Sequence, residues 1–445
     1  MTVNLSWYPF LSPPTVLFSA NVGLIVTMLS LAQIATILVF TGAAIANPVP
    51  LDERSSFSID EAHHTKRSVN TALQMIQYKR ENNEPVPAAL IASAKKRASK
   101  IEAALRTRGL TGSVSAKASD EFDNSFLSPL VIGGKTLHVE ISTATAEFWV
   151  FSSLQPKSDL KHHSFYEVNP AHEKKGYTFD ASYSGNASYL SGKVYTEKIK
   201  LGDITTTQEI GAATSVYEGF VGSSSDGLVG IGFGYTNSIE PERSLTFFET
   251  IMPQLSKKQF SVALRHGCPS SYDFGEVSPR KMASPFVYVP VEDDNEWGAW
   301  RFYGDGFAVG SKPVTKRRML IHLTTSSSIS FTDPDIVADY WSQVTGSKFD
   351  DDQDMYVFPC IAKNLPDVTF IFSGSRQVIP GKYMNLGFVD DDDKKYCYGG
   401  LQKIGGGVDF SLLGTNLFKD KYVLHDMNDE KKLRLGFAKL APSKK

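Results

Sequence analysis

From Ala118 to the end, the chain is a succession of short apolar runs, rich in β-branched and aromatic residues and broken by turn residues. That texture constrains the fold more than any other feature. Leu130-Val131-Ile132-Gly133-Gly134-Lys135-Thr136-Leu137-His138-Val139 reads as strand, tight Gly-Gly turn, strand. Similar runs occupy Val194–Leu201, Phe260–Leu264, Phe286–Val291 and Val368–Phe372. Only Ser244–Leu255 and Asp335–Val344 carry good helical spacing. The expected class is therefore all-β, mostly strand with a few short helices. A hydrophobic content of 42% against 21% charged residues supplies a large core and argues against disorder.

The first 117 residues differ. Val22 to Ala46 is apolar and ends in Ala44-Ile45-Ala46, the small-residue arrangement of a signal-peptidase site. Residues 1–46 are expected to be a signal peptide. The first basic residue is Arg54, so the usual positive start of a signal is missing; initiation at Met28 would leave an ordinary leader ending at Ala46. The alternative is an uncleaved anchor, because 25 mostly apolar residues could span a bilayer. Residues 47–117 are rich in Ala, Lys and Arg with helical spacing, and are expected to be a basic propeptide. Residues 1–117 hold 12 Lys/Arg and 7 Asp/Glu, whereas 118–445 hold 34 and 41. A basic head and an acidic body attract one another. The acidic body excludes nucleic acid as its partner, since phosphate needs a positive surface.

Three cysteines, Cys268, Cys360 and Cys397, are too few for a disulfide scaffold or a cysteine-rich zinc module. They allow one disulfide and one thiol in an oxidising compartment, or three thiols in a reducing one. The acidic runs Asp351-Asp352 and Asp390 to Asp393 lack calcium-ligand spacing and read as solvated loop tips. No metal or cofactor is expected.

A series of motifs then follows in order: Phe126-Leu127-Ser128-Pro129-Leu130-Val131-Ile132-Gly133-Gly134, Phe148-Trp149-Val150, and Tyr183 before Ser184-Gly185-Asn186-Ala187-Ser188. Next come Asp226-Gly227-Leu228-Val229-Gly230-Ile231-Gly232-Phe233, Ser271-Tyr272-Asp273-Phe274-Gly275, Val337 to Val344, Leu412-Leu413-Gly414 and Leu435-Gly436-Phe437-Ala438. Over 118–445 the chain resembles the pepsin-family aspartic proteases, most closely the secreted fungal type. The resemblance implies a bilobal acid-protease fold with an interlobe cleft, lobes at 118–290 and 291–445, a disulfide between Cys360 and Cys397, and a flap tyrosine at Tyr183. Cys268 is then left over and is expected to be a buried or partly buried thiol. Asn186-Ala187-Ser188 is also a glycosylation sequon.

Such proteases need two carboxylates sharing a proton, one acting as base and the other as acid toward a bound water. Here the corresponding loops are Ile141-Ser142-Thr143-Ala144-Thr145-Ala146-Glu147 and Thr324-Thr325-Ser326-Ser327-Ser328-Ile329. Anchored on Trp149 and on Pro334, the two aspartate positions fall on Ser142 and Thr325. No Asp or Glu occurs from 311 to 332; Glu140 and Glu147 are the nearest acids to the first loop. Thr143 and Ser326 are expected to keep hydroxyls that bond across to the opposite loop. With Tyr183, Trp149 and His322 they form the candidate cleft set. His322, three residues from Thr325, should face away from it and pack locally.

A hydroxyl has no affinity for a proton near neutral pH and cannot serve as general base by itself. The expected function is a secreted, monomeric pseudoprotease holding a peptide, protein or small molecule in its cleft. The alternatives are a pepsin-fold enzyme recruited to a small-molecule dehydration or isomerisation, and an active endopeptidase.

Overall fold

The computed structural model describes residues 112–182, 189–292, 298–351, 353–390, 393–405 and 408–442. Residues 1–111, with the expected signal and most of the expected propeptide, lie outside the described residues.

The Gly-Gly turn forms as expected. Strands Phe126–Ile132 and Lys135–Ser142 pair antiparallel from Leu127↔Glu140 to Ile132↔Lys135. Gly133 and Gly134 take φ of 56° and 78°, the left-handed values a two-residue hairpin turn requires. The other apolar runs are strands Tyr189–Leu201, Gln259–Ala263, Val287–Pro290 and Val368–Phe372. Both expected helices are present in shorter form, Phe247–Ile251 and Pro334–Ser342. The first is set by a capping box, in which Thr246 and Glu249 each satisfy the other's backbone N–H.

Among the described residues three sheets result, of 14, 7 and 4 strands. The largest joins the N-terminal lobe to a platform taking strands from both ends of the chain. Val287–Pro290, Arg434–Lys439, Lys421–Asp426, Gln259–Ala263, Ser270–Phe274 and Gly112–Ala118 follow one another across that platform. The expected lobe boundary at 290/291 thus falls at a strand whose partner is Arg434–Lys439, so the lobes share this sheet. The platform also holds residues 112–117, assigned above to the propeptide. They lie in a strand paired with Ser270–Phe274, and the Ser113 hydroxyl donates to Asp273 at 2.8 Å. The seven-stranded sheet forms the C-terminal lobe around Arg301–Val309 and Thr315–Leu323. One continuous core of buried aliphatic and aromatic side chains runs through both lobes.

The Cys360–Cys397 disulfide is formed and joins the two central strands of the four-stranded sheet, Met355–Pro359 and Tyr396–Gly399, at one end. Cys268 corrects the expectation of a buried thiol. It is exposed, because it sits in the turn between Gln259–Ala263 and Ser270–Phe274 rather than on either strand. Asp351, Asp390 and Asp393 are exposed, as read from the sequence.

Candidate functional site

The two hydroxyl-rich loops meet where the lobes meet. Each loop follows a strand that runs parallel to a partner ending at or just before a glycine: Ser142 lies opposite Gly230, and Leu323 opposite Leu413, which precedes Gly414. The loops fold back over Gly230 and Gly414. A Cβ on Gly230 would lie 2.6 Å from the carbonyl oxygens of Thr145 and Glu147, and one on Gly414 would lie 2.5 Å and 2.4 Å from those of Ser327 and Ile329. Only a hydrogen fits at either position.

Hydrogen bonds cross between the loops in a two-fold pattern. The Thr143 hydroxyl donates to the Leu323 carbonyl at 3.2 Å, and the Thr325 hydroxyl donates to the Ile141 carbonyl at 2.5 Å. The Thr143 N–H donates to Thr325 Oγ1 at 3.2 Å. Each threonine thus reaches the residue two before its counterpart, making Thr143 and Thr325 equivalent across a separation of 182 residues. The same separation relates Thr145 to Ser327 and Glu147 to Ile329, whose carbonyls cover the two glycines.

This corrects the sequence register by one residue: the counterpart of Ser142 is Thr324, not Thr325. A local feature repeats the pairing. The Ala144 N–H donates to Ser142 Oγ and the Ser326 N–H to Thr324 Oγ1, both at 3.3 Å. Of the two hydroxyls expected to cross, Thr143 does so onto backbone. Ser326 crosses onto a side chain, donating to Ser142 Oγ at 2.8 Å.

The centre is therefore a chain of hydroxyls: Thr324 lies 3.2 Å from Ser326, and Ser326 bonds Ser142. Ser142, Thr143, Thr324 and Thr325 are buried and Ser326 is partly open. Ser142 Oγ accepts two bonds, and its own proton has no partner among the described residues. Such a chain can donate to and accept from a bound group. It holds no proton that moves near neutral pH.

The two-fold relation also pairs Glu140 with His322, each two residues before its loop hydroxyl and so on the same strand face. Burial pushes the Glu140 carboxyl up to about 7, partly offset by a bond from Ser125. Burial, helped by the positive Arg301, pushes His322 down to about 4. His322 stacks on Phe410 with ring centroids 3.8 Å apart, so the expected local packing is found. It is not open to a cleft, and the face expected from Thr325 is reversed once Thr324 is the reference.

Trp149 is also removed from the cleft set. It is 1% exposed and packs against Phe151 and Phe220 in the lobe core. Tyr183 and Asn186 lie outside the described residues. Glu147 is buried and bonds Thr145 Oγ1 and the Ser238 N–H, a structural use of its carboxylate. No group of three metal-ligating side chains occurs among the described residues, and no helix there is long and apolar enough to cross a membrane.

Comparison with known proteins places these loops in context. The sequence model described as "Eukaryotic aspartyl protease" matches residues 125–440. Aspartic protease pepA of Leptosphaeria maculans is 37% identical over 416 residues, covering 93% of this chain and 100% of that protein. Aspergillopepsin-1 of Aspergillus fumigatus is 35% identical over 72% of this chain and 79% of its own length. Penicillopepsin-3 of Penicillium janthinellum is 31% identical over 92% of this chain and 100% of its own.

Proposed function

Because this chain belongs to the eukaryotic aspartyl protease family, we propose that it keeps the family's cleft as a binding site and has lost peptide-bond hydrolysis. One observation carries the reading. The two positions related by the cross-loop bonds hold hydroxyls, Ser142 and Thr324, where attack by water needs a shared acid–base pair. The flanking sequence offers no substitute on the second loop, since 311–332 contains no carboxylate. On the first loop, Glu140 is a single group without an acidic counterpart; its two-fold mate is an imidazole.

In this reading the cleft holds an extended peptide, and the uncommitted Ser142 proton donates to a peptide carbonyl. Polarising a carbonyl without delivering hydroxide leaves the amide intact. The relatives carry protease names, so the competing reading is an active endopeptidase. We further propose secretion, with residues 1–46 as signal and the basic segment after them as propeptide.

The purified protein is incubated with denatured globin at acid pH, with and without pepstatin. We expect no cleavage, while calorimetry detects pepstatin binding to the cleft. Pepstatin-sensitive fragments would overturn the proposal. The combination Ser142→Asp, Thr324→Asp, Ala144→Gly and Ser326→Gly is expected to bring measurable cleavage back.

A further inference from the structure

On the outer face of the shared platform, away from the hydroxyl centre, lies a cavity of about 420 Å³. Its size falls within the ~300–1,000 Å³ typical of small-ligand sites. The strand register gives its wall a polarity gradient. One rung across three strands is polar: Gln259 pairs with Asp426, and Asp426 with Arg434. The next rung on the same face is Ser261, Leu424, Gly436 and Tyr288, with three of these four apolar or aromatic. Two residues along a strand is about 7 Å, so the change from polar to apolar occurs within that distance.

The apolar end is lined by Val277, Met282, Phe286, Tyr288 and Leu424. Phe286 and Tyr288 lean over Gly436, where a Cβ would meet their ring atoms at 3.0 Å and 3.1 Å. Met282 and Val277 close the side, packed on the small buried cluster around Tyr422 and Ala438. At the polar end the Arg434 guanidinium stacks on the Tyr288 ring, 4.1 Å from its centroid, and its Nε donates to Asp426 at 2.8 Å. The Asp426 carboxylate is otherwise occupied by the Asn428 N–H and side-chain amide, at 3.0 Å and 2.6 Å. It is therefore satisfied and does not demand a cation. Lys257, at the same end, is exposed and makes no ion pair among the described residues. Arg434 and Lys257 stand against the single carboxylate of Asp426, which leaves one net positive charge at this end of the cavity.

We propose that this cavity binds a small amphiphilic carboxylate, with its head at Arg434 and Lys257 and its apolar tail against Phe286, Met282 and Leu424. The guanidinium is held by its Nε bond and by the tyrosine ring, and its terminal nitrogens supply the paired donors a carboxylate takes. The tail gains from displacing water off aromatic and aliphatic surface.

The test titrates the full chain with octanoate, octan-1-ol and octylamine by calorimetry. Octanoate is expected to bind saturably at one site, octan-1-ol about tenfold more weakly, the equivalent of one hydrogen bond to a charged group, and octylamine not at all. Arg434→Gln and Phe286→Ala should each weaken octanoate about tenfold, while Ser142→Ala in the cleft changes nothing. If Arg434→Gln fails to fold through loss of its Asp426 pair, Lys257→Gln carries the test, since that side chain holds no other residue. Absence of saturable octanoate binding would overturn the proposal. So would equal binding of all three amphiphiles, or binding that Ser142→Ala abolishes and Lys257→Gln leaves intact.

Discussion

The cross-loop threonines and the buried histidines make distinct predictions at the scale of single residues. Thr143→Val leaves the Leu323 carbonyl without its donor in a buried place. It should cost about 1–3 kcal/mol, read by denaturant unfolding. Thr324→Asp should be tolerated, because its side-chain oxygen already accepts the Ser326 N–H. Thr325→Asp should destabilise strongly, since its carboxylate would face the Ile141 carbonyl that the hydroxyl now serves as donor. That contrast tests the one-residue register directly. His425 stacks on Phe260, and burial pushes it down to about 3. An unfolded imidazole takes its proton near pH 6.5; the folded His322 and His425 do so only near 4 and 3. Their stability contribution is present above 6.5 and is lost as pH falls through those values. Glu140 acts in the opposite sense, its contribution being present below 4.5 and lost as pH rises through 7. Stability should therefore fall with one net proton's slope from pH 6.5 to 4.5, twice as steeply from 4.5 to 4, and with one proton's slope again down to 3, by a few kcal/mol in all, on the order of one to two per shifted unit. His425→Leu should flatten the thermal-unfolding profile at the acid end.

At the scale of elements, most of the fold was legible because strands and caps are local. Gly133-Gly134 set a hairpin, and the apolar runs set strands, without any knowledge of their partners. The helix at Phe247–Ile251 rests on its capping box, so Thr246→Ala should cost about 1 kcal/mol of stability. The Cys360–Cys397 bridge closes a span of 37 residues; reducing it should cost about 3–4 kcal/mol in the chain-entropy account, measured by unfolding with and without reductant. The second loop was not legible in the same way. Thr324, Thr325, Ser326, Ser327 and Ser328 are all hydroxyls, so a shift of one residue changes no residue class, and sequence spacing had nothing to lock on. The exposure of Cys268 follows from the turn that the chain makes there, which its being left out of the disulfide does not reveal.

At the scale of the whole molecule, the lobes share one platform sheet built from residues near 112–118, 259–290 and 421–439. Cutting the chain at 290 should therefore yield two insoluble pieces rather than two folded lobes, because each would expose unpaired strand edges; solubility of the separate fragments checks this. The sequence by itself determined the class, the family frame and the absence of acidic residues on the second loop, since these depend on residue type and local order. Tertiary structure alone decided which hydroxyls stand opposite each other. That pairing is made by hydrogen bonds between loops 182 residues apart, and contacts at such separation leave no periodic trace along the chain. Ser142 and Thr324, rather than Ser142 and Thr325, are the facing pair for that reason.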